Sequence, residues 1–273
     1  MKKNASNIIL ILIFVIGLSL LLYPSFAEYW NSFTSSRAIA TYTEQVASID
    51  NDAYEQLWQE AKAYNETLLG RSNEFLLSDE QMAEYLRLLD VSGLGIMGYI
   101  EIPCIDVSLP IYHGTEDSVL QVAIGHLEWT SLPVGGASTH CVLSGHRGLP
   151  SARLFTDLDQ VKEGDYFMMH ILDQTLTYEV DQIRIVLPHE VDDLLIQEGK
   201  DLCTLVTCTP YGVNSHRMLV RGRRVDNLEE EQVIRITSDA VVIEKLVVAP
   251  FVLVPILLIM LLFLMISTPK KRK

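Results

Sequence analysis

The sequence predicts a mainly β domain carried between two membrane segments, and three observations lead there. From Gly95 onward the chain breaks into short β-branched and aromatic runs separated by Gly, Pro, Asn and Asp. Ahead of them lies a long stretch in which apolar residues recur every three or four positions. At each end stands an apolar run whose outer flank is basic. A chain of 273 residues has room for one sizeable domain and a helical appendage.

The first apolar run, IILILIFVIGLSLLLY (Ile8–Tyr23), follows Lys2 and Lys3 and marks residues 1–30 as a transmembrane anchor or signal segment. Ser25-Phe26-Ala27 has the small-x-small pattern of a cleavage site. Tyr23, Phe26, Tyr29 and Trp30 instead resemble an interfacial aromatic belt, which favours an anchor. Residues 31–92 read as an extracellular helical segment. Ile39, Tyr42, Val46, Ile49, Ala53, Leu57, Ala61, Tyr64 and Leu68 form one apolar stripe, expected to pack on the main domain. Ser78 and Gln81 have capping-box spacing, so a second helix is expected from Ser78 through Met82, Tyr85, Leu86 and Leu89 to the breaker SGLG.

Strands are expected near 97–102, 105–111, 139–145, 165–171, 175–187, 202–208 and 216–224. Turns are expected at Asp173-Gln174, Gly148-Leu149-Pro150 and Pro210-Tyr211-Gly212, and helical turns at 116–123 and 151–160. Seven or eight short strands in this space suggest a barrel or a sandwich. Residues 225–245 form an acidic linker, 246–267 a second apolar run of 22 residues, and 268–273 a basic tail. The second run is long enough to cross a hydrocarbon core of about 30 Å, and its prolines, Pro250 and Pro255, are tolerated in a membrane helix. With both outer flanks basic, both termini are expected in the cytoplasm and everything between them outside the cell.

Between Glu28 and Lys245 lie all 35 acidic residues and 15 basic ones, a net charge of −20. That balance repels nucleic acid and anionic headgroups. The cysteines are Cys104, Cys141, Cys203 and Cys208, with no CxxC and no zinc-like spacing. The first three read as small core residues. A Cys141–Cys203 bridge is the leading exception, on the expectation that their strands are neighbours.

Two strands end in reactive groups. THCVLSGHRG leads to His146 before a Gly-rich turn, and LCTLVTCTPYG leads to Cys208 before another. A thiol becomes a useful nucleophile beside a base or cation that favours the thiolate, so Cys with His is a coherent pair. Arg217 opens the next strand, where a hairpin could return its guanidinium to the thiol and to a developing oxyanion.

TLVTCTPYGVNSHRMLVRGRR, GHLEWTSLPVGG, VLSGHRGLPSARLFTDLD and MGYIEIPCIDVSLPIYHGT together resemble the class C, pilus-assembling sortases of Gram-positive bacteria. The resemblance spans Gly93 to Arg224 and extends to the flanking membrane segments. It implies a closed eight-stranded β-barrel with short helices over 93–224, and a groove on the barrel wall. It also implies that His146, Cys208 and Arg217 are catalytic and that Thr207 binds substrate. The implied reaction is transpeptidation: cleavage of an LPXTG-like sorting signal through a thioester, then transfer to a lysine amine of another pilin. Neither metal nor organic cofactor is called for, because the thioester retains the peptide-bond energy. The implied partners are pilin subunits and the cell membrane. One departure stands out: the family's Asp-Pro-aromatic lid motif is absent, and the matching region reads GRSNEFLLSDEQ.

Other readings are a cell-wall cysteine peptidase or amidase using the same Cys–His chemistry with water, and a non-catalytic tethered binding module. His113, His126, His140, His170, His189 and His216 read as solvated or structural, although His126 could line the groove. Arg221, Arg223 and Arg224 read as solvated strand-end charges.

Overall fold

The computed structural model describes residues 2–69 and 75–227. The second apolar run at 246–267, the basic tail and most of the acidic linker lie outside the described residues, as do 70–74 of the lid region. Helix α1 (Lys2–Ala47) passes through Pro24 and across position 30 without a break, joining the first apolar run to the helical segment. One helix among the described residues is long and apolar enough to cross a membrane; it is α1, and its most apolar window is wholly unburied. After a turn at 48–50, the Asp50 carboxylate accepts from Ala53 N at 2.8 Å and caps α2 (Asn51–Leu68). The apolar stripe is therefore divided between two helices. Tyr42, Ala61, Tyr64 and Leu68 are buried as their spacing requires, whereas Ala53 is exposed and Trp58 joins the packed face. Helix α3 (Asp79–Arg87) opens on the expected capping box of Ser78 and Gln81. It ends before Leu89, which is buried but has left-handed backbone geometry (φ 61°).

The strands are β1 (Ile96–Ile102), β2 (Val107–His113), β3 (Ile124–His126), β4 (Thr139–Ser144), β5 (Tyr166–Ile171), β6 (Gln174–Val186), β7 (Asp201–Thr209) and β8 (His216–Val225). They close into a barrel in the order β1-β2-β3-β4-β7-β8-β6-β5. The β2–β3 and β4–β7 pairs are parallel, and the other pairs are antiparallel. β3 is absent from the sequence reading because three residues carry no measurable alternation. β2 begins later than expected because Pro103–Ile105 form a 3-10 turn and Asp106 takes a left-handed conformation. β6 is one strand with a bulge between Val180 and Gln182. Its hairpin turn falls one residue early, since Gln174 already pairs with Ile171.

Inward residues such as Ile100, Ile111, Phe167, Met169, Leu205 and Val220 fill the barrel. Three buried polar contacts fix the helices on it. Tyr42 Oη donates to Met97 O at 2.9 Å and accepts from Leu172 N at 2.7 Å, bridging β1 and the β5–β6 turn. The Asn65 amide pairs with both backbone groups of Leu132, at 2.7 and 3.1 Å. Tyr85 Oη meets His126 Nδ1 and Gly114 N, each at 3.0 Å.

Several polar side chains sit elsewhere than expected. His126 is sealed inside against Tyr85 and Ser131 O and does not line the groove, because the short β3 turns it inward. Cys104 is exposed on its 3-10 turn rather than in the core. Cys141 and Cys203 are register partners, as neighbouring strands would have it, and both are free thiols. Arg221 forms a two-pronged pair with Asp181, Arg223 pairs with Glu179, and Arg224 donates to backbone carbonyls. These strand-end charges are thus engaged rather than simply solvated.

Candidate active site

β4 and β7 run parallel, so their C-terminal ends reach the same rim of the barrel. Strand pleating decides which groups face outward there. On β7, Cys203 and Leu205 belong to the core and Thr207 is buried, so Val206 and Cys208 lie on the outer face. On β8, Met218 and Val220 face inward, so Arg217 and Leu219 face outward. Cys208 and Arg217 are direct register partners, which sets their Cα atoms about 4.5–5.5 Å apart. Both are half-buried, neither sealed nor fully exposed.

His146 arrives from the other side of β7. Ser144 pairs with Val206, and Gly145 N continues the ladder by donating to Val206 O at 3.0 Å. Thr207 Oγ1 then donates to Gly145 O at 2.8 Å. One further step along this register brings His146 to the level of Cys208. Gly145 permits the passage: a Cβ there would stand 2.6 Å from the Ile124 side chain and 2.7 Å from the Phe155 ring. Beyond His146 the loop is held by Phe155 N donating to His146 O at 3.1 Å, by Gly148 N donating to Thr156 Oγ1 at 3.1 Å, and by an Arg147–Asp159 ion pair. Gly148 has φ +78°, and a Cβ there would stand 2.6 Å from the Tyr211 ring of the β7–β8 turn, so the histidine loop and the cysteine turn are in close contact.

Thr207 does not face this rim. Its side chain is 2% exposed and its hydroxyl is committed to Gly145 O, so the pleat directs it to the interior and to a backbone-fixing bond. Arg217 Nη1 donates to Asn214 O at 3.1 Å and His216 O at 3.0 Å, and no ion pair engages it among the described residues. The guanidinium is thus steadied by its own turn while its charge stays available.

An apolar groove of about 270 Å³ runs along the outer wall beside Arg217. Its floor is Val142, Val206 and Leu219; Leu127 and Trp129 form one wall, and the β6–β7 connection the other. The Phe75 ring packs edge-on against Trp129 with centroids 4.9 Å apart, so the chain entering α3 reaches the groove despite lacking Asp-Pro. The β6–β7 wall went unrecognised in the sequence. The run LPHEVDDLL carries an apolar signal, but nothing local shows that it folds back over β4 and β7. Among the described residues no cluster of metal-ligating side chains occurs.

A sortase domain model matches residues 100–225. The crystal structure of sortase C1 from Streptococcus agalactiae is 52% identical, covering 70% of this chain and 100% of that one, with a TM-score of 0.69. The chain belongs to the sortase family. A sortase C from Streptococcus pneumoniae is 47% identical over 70% of this chain and 97% of its own, with a TM-score of 0.64. With sortase D of Bacillus subtilis the identity is 30% over 131 residues, 47% of this chain and 63% of that relative's length. The family is one of cysteine transpeptidases, and these solved neighbours are class C sortases. The rim formed by β4, β7 and β8 thus carries a half-buried thiol, a guanidinium without an ion pair among the described residues, and the loop of His146, beside a groove lined largely by apolar side chains.

Proposed function

We propose that this sortase polymerises pilins at the outer face of the cell membrane, with Cys208 as nucleophile, His146 as acid and base, and Arg217 as oxyanion partner. The observation that carries this reading is the Cys208–Arg217 register pair at an outward rim that β4 shares. The Cys208 thiolate attacks the threonyl carbonyl of an LPXTG-like signal seated in the groove, and the oxyanion forms facing the Arg217 guanidinium. As the Thr–Gly C–N bond breaks, His146 gives its proton to the departing glycine amine, leaving a thioester on Cys208. A lysine amine of another pilin attacks that thioester, His146 takes the amine proton, and the thiolate departs as the isopeptide bond forms.

The apolar floor and walls suit the Leu-Pro part of such a signal. The Streptococcus pneumoniae relative, whose structure bears on pilin substrate specificity, supports pilins as the substrate class. The unburied apolar length of α1 supports a membrane anchor. Thr207 acts indirectly in this scheme, by fixing Gly145 ahead of His146.

The test uses the purified chain, a pilin bearing the sorting signal and a second pilin bearing the acceptor lysine. Covalent pilin multimers, with a Thr–Lys isopeptide identified by mass spectrometry, are expected with wild type and absent with Cys208→Ala. Hydrolysed signal without amine transfer would favour the peptidase reading. Multimers persisting in Cys208→Ala would refute the proposed role of this residue.

A further inference from the structure

His140 lies on β4, outside the rim, yet its side chain is fully buried. By alternation with the core residues Cys141 and Leu143, His140 points outward. It is covered because the β6–β7 connection folds back over it. Its Nδ1 stands 2.9 Å from Leu195 O, and its Nε2 stands 2.7 Å from Thr204 Oγ1 on β7. A carbonyl only accepts, so Nδ1 carries the proton and Nε2 accepts from the threonine hydroxyl. One neutral imidazole thereby satisfies both partners and joins β4, β7 and the connection. Burial agrees with that state, pulling the His140 pKa down to about 4. The charges around it, Arg221, Asp181 and Asp193, are themselves paired: Arg221 with Asp181, and Arg184 with Asp193.

Leu194, next to the tied Leu195, packs against Val142 and Leu219, which floor the groove. Other ties of the connection are exposed or near its ends. The Arg184–Asp193 pair is at the surface, and Gly199 N donates to Ser138 Oγ at 2.8 Å where the chain enters β7. The tie closest to the groove is therefore a buried one, and it lies behind the wall rather than in it.

We propose that His140, together with Thr204, is a positioning residue that holds the β6–β7 connection as the groove wall and so sets the affinity for the sorting signal without touching it. This rests on the assignment of the groove to the sorting signal. A released wall weakens seating of the donor peptide while leaving the rim of Cys208, His146 and Arg217 assembled, so the loss falls on KM and not on kcat.

The test measures transpeptidation of a soluble LPXTG-type peptide to a lysine-containing acceptor by wild type, His140→Ala, His140→Asn and Thr204→Val. In His140→Ala, KM rises about fivefold or more with kcat within about twofold. His140→Asn, whose amide can still donate to Leu195 O, lies closer to wild type. Hydrogen exchange quickens across residues 190–197, and iodoacetamide alkylates Cys208 at the wild-type rate, since that reaction does not use the groove. A folded His140→Ala with unchanged KM, or one losing kcat alone, overturns the proposal. If His140→Ala does not fold, Thr204→Val, which removes one hydroxyl and keeps the shape, is judged by the same criteria. If wild type forms no acyl-enzyme with the peptide, the functional assignment fails, and hydrogen exchange at 190–197 still decides whether His140 holds the wall.

Discussion

Cys208 of β7 and Arg217 of β8 are register partners on the outer face of the barrel, joined by a turn that packs against the loop carrying His146. A thiol and a guanidinium fixed by strand pairing need no reorganisation when charge develops on a substrate carbonyl, which is the condition for electrostatic catalysis. Replacing Arg217 with Ala should lower kcat by about 10²–10³. Arg217→Lys should recover little, because a single ammonium nitrogen lacks the planar fork in which Nη1 bonds Asn214 O and His216 O while the other guanidinium nitrogens can face an oxyanion. Single-turnover acylation rates check this, with thiol alkylation as a control that Cys208 is still accessible.

Thr207→Val keeps the side-chain shape and removes the hydroxyl that bonds Gly145 O. The loss should cost about 1 kcal/mol of stability, the usual worth of such a bond. It should also loosen the approach of His146, lowering kcat about tenfold with little change in KM. Urea unfolding and steady-state kinetics on the same preparation measure both effects.

Tyr42→Phe leaves Met97 O and Leu172 N without their buried partner. A stability loss of about 1–3 kcal/mol is expected, while the acylation rate of Cys208 stays at the wild-type value because the rim lies on other strands. Denaturation midpoints set against acylation rates separate these outcomes.

The pH dependence of stability should carry the signature of His140. An unfolded histidine gains its proton near pH 6.5, and the buried one only near 4. Between those values the unfolded state holds more protons, so stability rises with pH across that window and is lost as pH falls through it. The loss attributable to this one group is about 3 kcal/mol, at about 1.4 kcal/mol per pH unit. His140→Asn should flatten that slope, as seen by comparing urea midpoints at pH 7 and pH 4.5.

Local chemistry made the pairing of Cys208 with Arg217 legible in the sequence, while the catalytic roles of His146, Cys208 and Arg217 come from the family resemblance. A β-branched run ending at Cys208, a Pro-Tyr-Gly turn and a return strand opening on Arg217 specify a hairpin, and a hairpin pairs its ends. The α3 cap was readable for the same reason, since Ser78 and Gln81 are three residues apart. Long-range placement was not readable. The tie between His140 and Leu195 spans 55 positions and exists only because β4 and β7 lie side by side in parallel. Thr207 and His126 show the other limit. The resemblance implies that Thr207 binds substrate and the sequence allowed His126 to line the groove, yet the pleat buries the Thr207 side chain against Gly145 O and the short β3 buries His126 against Ser131 O.

Thioester formation on Cys208 is read by intact-protein and peptide mass spectrometry of the chain after brief exposure to a sorting-signal peptide, without an acceptor amine. An added mass equal to the acyl group ending at the threonine is expected, located on Cys208, released by hydroxylamine and absent from Cys208→Ala. Cleavage of the peptide with no adduct on Cys208, or with the adduct on another residue, would contradict Cys208 as the nucleophile.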